Sequence, residues 1–146
     1  SGLGAPWWRD DIYASISGMS RTTGREEIVK AGCECIAYQI NDVIDAMRKD
    51  SKIDISQMCV DGGPTRNKYL MQFQSDISQT EVKIPDAEEL SVIGAGYLAG
   101  ESAGYYDPDD IYKAITYNFF ETKMQEQERS EKVHGWNEAV EMLLKK

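Results

Sequence analysis

The chain has 146 residues, 41% hydrophobic and 28% charged, with 16 Lys and Arg against 25 Asp and Glu for a formal net charge of -9. That balance belongs to one folded domain rather than a disordered segment, and the acidic excess disfavours nucleic acid and anionic membranes as partners. No apolar run approaches the roughly 18 residues of a membrane span.

The first residues, Ser-Gly-Leu-Gly-Ala-Pro-Trp-Trp-Arg, carry neither an initiator Met nor a signal-peptide pattern, so the chain reads as processed or excised. Residues 1–23 are an irregular lead-in, in which the weak alternation of residues 12–19 suggests a strand. Thr23-Gly24-Arg25-Glu26 has the form of a capping box, with Thr23 as the cap. A long helix follows to about Asp50, with Val29, Ile36, Ile40, Val43, Ile44 and Met47 as its apolar stripe.

Gln57-Met58-Cys59-Val60 reads as a short buried strand, ended by Asp61-Gly62-Gly63-Pro64. Residues 67–78 are helical by pattern, residues 81–84 form a second strand stopped by Pro85, and Asp86-Ala87-Glu88-Glu89 opens a third helix to about Gly104. Asp107-Pro108 starts a short helix through Ala114, and a polar stretch over residues 121–132 leads to a last amphipathic helix. The outcome is an αβαβα core over residues 24–105 and a helical tail over residues 106–146. Alternation of this kind gives short parallel strands joined by crossover helices. Two strands at 57–61 and 81–84 make a marginal sheet alone. Its open flank must therefore recruit another chain or be covered by residues 1–19.

Three features can carry chemistry. Val60-Asp61-Gly62-Gly63 ends a strand with two glycines before a helix. That is a tight turn in any case, and it also lets backbone approach a ligand at the carboxyl end of a sheet. Asn67 follows, placed to read a purine or ribose edge or to serve as a polar first-turn residue. Gly94-Ala95-Gly96-Tyr97-Leu98-Ala99 matches the dinucleotide fingerprint G-x-G-x-x-A, which keeps a Rossmann-type oxidoreductase as an alternative. No second strand follows it, so Gly96, Gly100 and Gly104 read instead as a helical stripe buried against neighbouring backbone. The third feature is acid clusters at 86–89, 107–110 and 126–131, which sit where helix starts favour them. Three cysteines (Cys33, Cys35, Cys59) and one histidine (His134) make a metal site improbable. They point to reduced structural thiols in a cytoplasmic protein.

Gly2-Leu3-Gly4-Ala5-Pro6-Trp7-Trp8 resembles a segment of the FGGY-family carbohydrate kinases, the glycerol kinase branch above all. The helix containing Ile36-Ala37-Tyr38-Gln39, the turn Val60-Asp61-Gly62-Gly63 with Asn67, and the run Ile93-Gly94-Ala95-Gly96-Tyr97-Leu98-Ala99-Gly100 continue the likeness in order over residues 2–105. The resemblance implies an α/β fold, part of a ribonuclease-H-like domain of the actin-like ATPase class. It implies an ATP- and Mg²⁺-dependent enzyme that moves the γ-phosphate to a hydroxyl of a small sugar or polyol. This chain matches only the C-terminal part of such an enzyme and should be inactive alone. The catalytic Asp, the phosphate loops and the metal ligands are expected outside it, and a homo-oligomer is expected of the whole. Asp61, Gly62, Gly63 and Asn67 carry over as nucleotide-binding residues. Arg9 and Pro64-Thr65-Arg66 depart from the family pattern. A non-catalytic interaction domain of the same fold is the further alternative.

Overall fold

The computed structural model describes residues 2–87, 90–105, 107 and 115–145. In chain order these form α1 (Arg25–Ser51), β1 (Gln57–Cys59), a 3-10 turn (Gly63–Arg66), α2 (Lys68–Ser78), β2 (Glu81–Pro85), α3 (Leu90–Ser102), β3 (Tyr117–Phe120) and α4 (Glu126–Leu144). The three strands lie in the order β1-β2-β3. β1 and β2 are parallel, with Met58 opposite Val82. β2 and β3 are antiparallel, with Val82 opposite Phe120.

The parallel pair and its crossover helix α2 match the expected pattern. β3 does not: the tail expected to be helical contributes a strand. Tyr117-Asn118-Phe119-Phe120 has no alternation to betray it. It is fixed instead by the ladder along β2 and by Ser75, whose hydroxyl donates to the Phe120 carbonyl at 2.8 Å. The short helix expected from Asp107 through Ala114 lies outside the described residues, apart from Asp107 itself.

α2 is the centre of the molecule. Leu70, Met71, Phe73 and Ile77 join Ala37 of α1 and Val82 of β2 in one buried cluster. A helix enclosed on several sides must also bury polar groups, and each needs a partner. Ser78 donates to the Gln74 carbonyl at 2.7 Å. Asp76 accepts the backbone N–H groups of Lys123 and Met124 at 2.6 and 3.0 Å, holding the segment that leads into α4. Arg48, near the end of α1, donates to the carbonyls of Ser78 and Ile55 and to Thr80 Oγ1 at 2.8–2.9 Å. One planar guanidinium thereby joins the end of α2 to the approaches of β1 and β2.

Several local expectations shift. The α1 cap is Gly24, one residue beyond Thr23. Glu27 accepts the Gly24 N–H at 2.8 Å, while Thr23 Oγ1 serves Ser20 N instead. Residues 12–19 form no strand. Tyr13, Ile16 and Met19 stand 57–88% exposed there, without a partner strand to reward extension. Nor do the described residues 2–19 pair with the outer edge of β1. The lead-in turns on itself through a Leu3–Arg9 bridge and docks on α1, where Trp7 Nε1 donates to Asp42 Oδ2 at 3.2 Å. Trp136 of α4 donates to the same oxygen at 2.9 Å and stacks on Tyr38 with centroids 5.2 Å apart. α4 itself begins at Glu126, absorbing most of the polar stretch, because Arg129 Nε turns inward to the Ile77 carbonyl at 2.8 Å.

Candidate nucleotide site

β1 delivers the chain to the carboxyl edge of the sheet, where Val60 N still pairs with the Lys83 carbonyl at 3.0 Å. Pairing stops at Asp61. Gly62 then takes φ 98°, ψ 174°, a region essentially reserved for glycine. Its carbonyl accepts both Thr65 N at 3.0 Å and Thr65 Oγ1 at 2.8 Å, which winds Gly63–Arg66 into the 3-10 turn. Gly63 differs from Gly62: a Cβ built on it would meet nothing within 4 Å. One glycine is needed for its backbone angle, and the other leaves room beside the chain.

Asn67 is the N-cap of α2 rather than a residue of its first turn. Its Oδ1 accepts Leu70 N at 3.2 Å, and its Nδ2 lies 3.9 Å from Cys33 Sγ on α1. The side chain therefore fixes the helix start, and it stays exposed. Asp61 is also exposed and borders a cleft of about 440 Å³ between the end of β1, Pro85 and the α3 face of Ile93, Tyr97 and Glu101. Its walls are mainly apolar with a few polar groups, the usual make-up of a small-molecule site. The structure thus joins Asp61, Gly62, Gly63 and Asn67 through one continuous turn. Asp61 stands on the α3 side of it and Asn67 on the α1 side.

The other candidates resolve clearly. Gly94 to Ala99 lie inside α3. They cannot form the strand-to-helix loop that a dinucleotide fingerprint requires, which removes the oxidoreductase reading. The expected buried glycine stripe fails as well. Gly100 is buried, but Gly96 is exposed with open space beside it. Gly104 lies past the helix end at φ 74°, where Tyr105 N bonds Gly100 O at 2.8 Å and Gly104 N bonds Glu101 O at 3.0 Å. That is a Schellman cap, which needs a left-handed residue, so Gly104 serves conformation rather than packing. The three cysteines are free thiols, Cys33 and Cys35 half-buried and Cys59 exposed. His134 is an exposed partner of Glu138 at 3.4 Å.

Sequence reasoning passed over the Trp7–Asp42–Trp136 junction. Asp42 falls on the line of α1 through Tyr38 and Asp45, and two tryptophans far apart in the chain were the available signal. Burial raises the Asp42 carboxyl above its ordinary value, against the lowering effect of the two indole N–H donors. Burial likewise pushes the Tyr38 phenol up to about 12.

A family model described as the C-terminal domain of the FGGY family of carbohydrate kinases matches residues 1–103. The chain belongs to that family. It is 46% identical over 146 residues to a glycerol kinase of Natranaerobius thermophilus, covering 98% of this chain and 29% of that protein. The crystal structure of Plasmodium falciparum glycerol kinase with ADP superposes with a TM-score of 0.88 at 40% identity, over 99% of this chain and 29% of that one. Ligand-bound xylulose kinase from Lactobacillus acidophilus shares the fold, with a TM-score of 0.70 at 16% identity over 97% of this chain and 28% of that one. The chain therefore spans under a third of the length of these relatives, with the α/β fold of the actin-like kinases.

Proposed function

We propose that this chain is the nucleotide-holding C-terminal part of an ATP-dependent kinase that phosphorylates a hydroxyl of a small polyol, glycerol first among the candidates. The observation that carries the reading is the Asp61–Gly62–Gly63 turn at the carboxyl end of β1, in a chain 40% identical to a glycerol kinase crystallised with ADP. Gly63 leaves open space for a flat ring. Asn67 and Asp61 supply polar edges to either side of it. Adenosine is the part of ATP that such a turn suits.

The triphosphate is another matter. With a net charge of -9 the chain has little to clamp it. Among the described residues no group of three or more His, Cys, Asp or Glu is placed to hold a metal ion. Mg²⁺, the phosphate loops and the catalytic base belong, in this reading, to the rest of the protein. Phosphoryl transfer depends mainly on positioning and on electrostatic clamping of the phosphates, so this chain alone should be inactive. No helix among the described residues is long and apolar enough to cross a membrane, and we place the enzyme in the cytoplasm.

The test is steady-state kinetics of the full-length protein with ATP and glycerol. Asn67→Ala removes polar contacts worth ~1 kcal/mol and should raise the ATP KM about fivefold while leaving the glycerol KM unchanged. Absence of ATP-dependent phosphorylation of glycerol or any other small polyol defeats the proposal. So does a shift of the glycerol KM alone.

A further inference from the structure

The first turn of α2 is tied to α1 by more than a helix start requires. Such an end ordinarily frays, with the N-cap bond to restrain it. Here two successive residues of α1 reach it as well. Asn67 Nδ2 lies 3.9 Å from Cys33 Sγ, and the Tyr69 hydroxyl donates to Glu34 Oε1 at 2.5 Å. The second contact is the strong one, because O–H bonds to a carboxylate run about 2.5–2.7 Å and are roughly twice as strong as neutral ones. The Glu34 side chain is only 13% exposed, and the Lys30 ammonium, one turn earlier on α1, lies 3.7 Å from the same oxygen. Burial and the Glu34 carboxylate both push the Tyr69 phenol above its ordinary value, so it remains the donor. The Tyr69 ring lies nearly parallel to that of Phe73, with centroids 6.1 Å apart. A phenylalanine would keep that stacking. What the hydroxyl adds is the tie to α1.

We propose that Glu34 is a positioning residue for nucleotide binding, holding Tyr69 and through it the helix start on which Asn67 is mounted, a role that rests on the nucleotide reading of the Asp61–Asn67 turn. That turn has two ends to fix. The sheet fixes the first, where Val60 N pairs with the Lys83 carbonyl at 3.0 Å. The first turn of α2 is the second, and Tyr69 stands two residues beyond Asn67. Asn67 Oδ1 is committed to Leu70 N at 3.2 Å, so Nδ2 is the atom the amide can turn toward a ligand. The thiol beside it is a weak acceptor that a nucleotide nitrogen or oxygen would outcompete. A shift of the helix start by about 1 Å carries that donor with it, enough to spoil a hydrogen bond. The 3-10 turn before Asn67 leans on glycine for its shape at Gly62. The carboxylate on α1 therefore supplies the restraint that the turn's own residues do not.

The experiment is calorimetric titration of the full-length protein with ADP, alongside ATP and glycerol kinetics. Tyr69→Phe and Glu34→Ala should each weaken ADP binding about threefold and raise the ATP KM by the same factor, with kcat and the glycerol KM unchanged. Neither can exceed the effect of Asn67→Ala, because both act through it. Glu34→Gln keeps an acceptor for the Tyr69 hydroxyl and should recover most of the loss. In an Asn67→Ala background Tyr69→Phe should add nothing, as expected of residues that act in series. If Asn67→Ala weakens ADP binding and Tyr69→Phe does not, the nucleotide reading stands and the role of Glu34 falls. Equal losses from Tyr69→Phe with and without Asn67→Ala overturn that role too, since the phenol would then act independently of the amide. If Asn67→Ala leaves ADP binding unaltered, the nucleotide reading fails and takes this role with it. Should Glu34→Ala fail to fold, Tyr69→Phe, which keeps the stacked ring, decides alone.

Discussion

Gly62 and Gly63 are neighbours with opposite reasons to be glycine, and substituting each separates the turn's shape from its use. Gly62 holds φ 98°, and the nearest atom to a Cβ built there is Pro64 Cδ at 3.9 Å. Gly62→Ala therefore meets no clash. It meets only the backbone cost of a glycine-only region, about 1–3 kcal/mol. In a thermal melt that corresponds to a Tm drop on the order of 2–12 °C for a unit of 150–250 residues. Gly63 carries no positive φ and has open space around its Cβ. Gly63→Val should change stability by less than about 1 kcal/mol, the scale of a helix-propensity difference. If an adenine ring occupies that space, the added methyl groups overpack it by roughly 1–3 kcal/mol, a 5- to 150-fold rise in the ATP KM. The assay is differential scanning fluorimetry alongside ATP kinetics of the full-length protein. The reasoning is refuted if Gly62→Ala melts like the unmodified protein, or if Gly63→Val melts normally and its ATP KM is unaltered.

Three further outcomes follow from the packing. Arg48→Ala should cost about 1.5–3 kcal/mol, the range for hydrogen bonds to a charged group, and Arg48→Lys should restore only part of it because an ammonium cannot reproduce the fork to Ser78, Ile55 and Thr80; urea unfolding measures both. Burial raises the Asp42 carboxyl above its ordinary value in the folded state, so the folded state holds that proton more tightly than the unfolded chain. Its contribution to stability is therefore fullest below about 3.8 and is lost as pH rises through the folded pKa. The stability of the unmodified protein relative to Asp42→Asn should fall across that window and level off at neutral pH, and a rise instead would contradict the assigned cause. Gly104→Ala should cost about 1–2 kcal/mol by forcing a side chain into the left-handed region of the Schellman cap, seen as a lower urea midpoint.

The parts of the fold carried by local pattern were readable in the residues. The helical run of α1 and the Val60-Asp61-Gly62-Gly63 break act on the chain within a few residues of themselves, whereas Val29, Ile36, Ile40 and Met47 of the expected apolar stripe stand 37–57% exposed, and Pro85 pairs with Tyr117 inside β2 instead of stopping it. The misreadings fall where tertiary contacts override that pattern. β3 is four residues whose only argument for extension is the edge of β2. Residues 12–19 alternate but have no edge to join. Gly104 follows the four-residue spacing of Gly96 and Gly100 but answers to a helix end. At the candidate site the glycines were legible because their conformational freedom is intrinsic. The capping role of Asn67 was not, because it depends on where α2 begins, and its contact with Cys33 joins positions far apart in the chain.

The junction at Asp42 also gives the protein an optical reporter. The chain has three tryptophans, and two of them, Trp7 and Trp136, donate their indole N–H to the same carboxylate oxygen. Trp8, next in sequence to the first, is 77% exposed. The emission of this chain is thus the sum of one hydrated fluorophore and two held beside a fixed negative charge, one of them stacked on a tyrosine ring. Undocking of α4 or of the lead-in from α1 changes the surroundings of the held pair and leaves Trp8 as an internal reference. The attachment of both ends of the chain to its longest helix can therefore be followed by steady-state fluorescence without any added label.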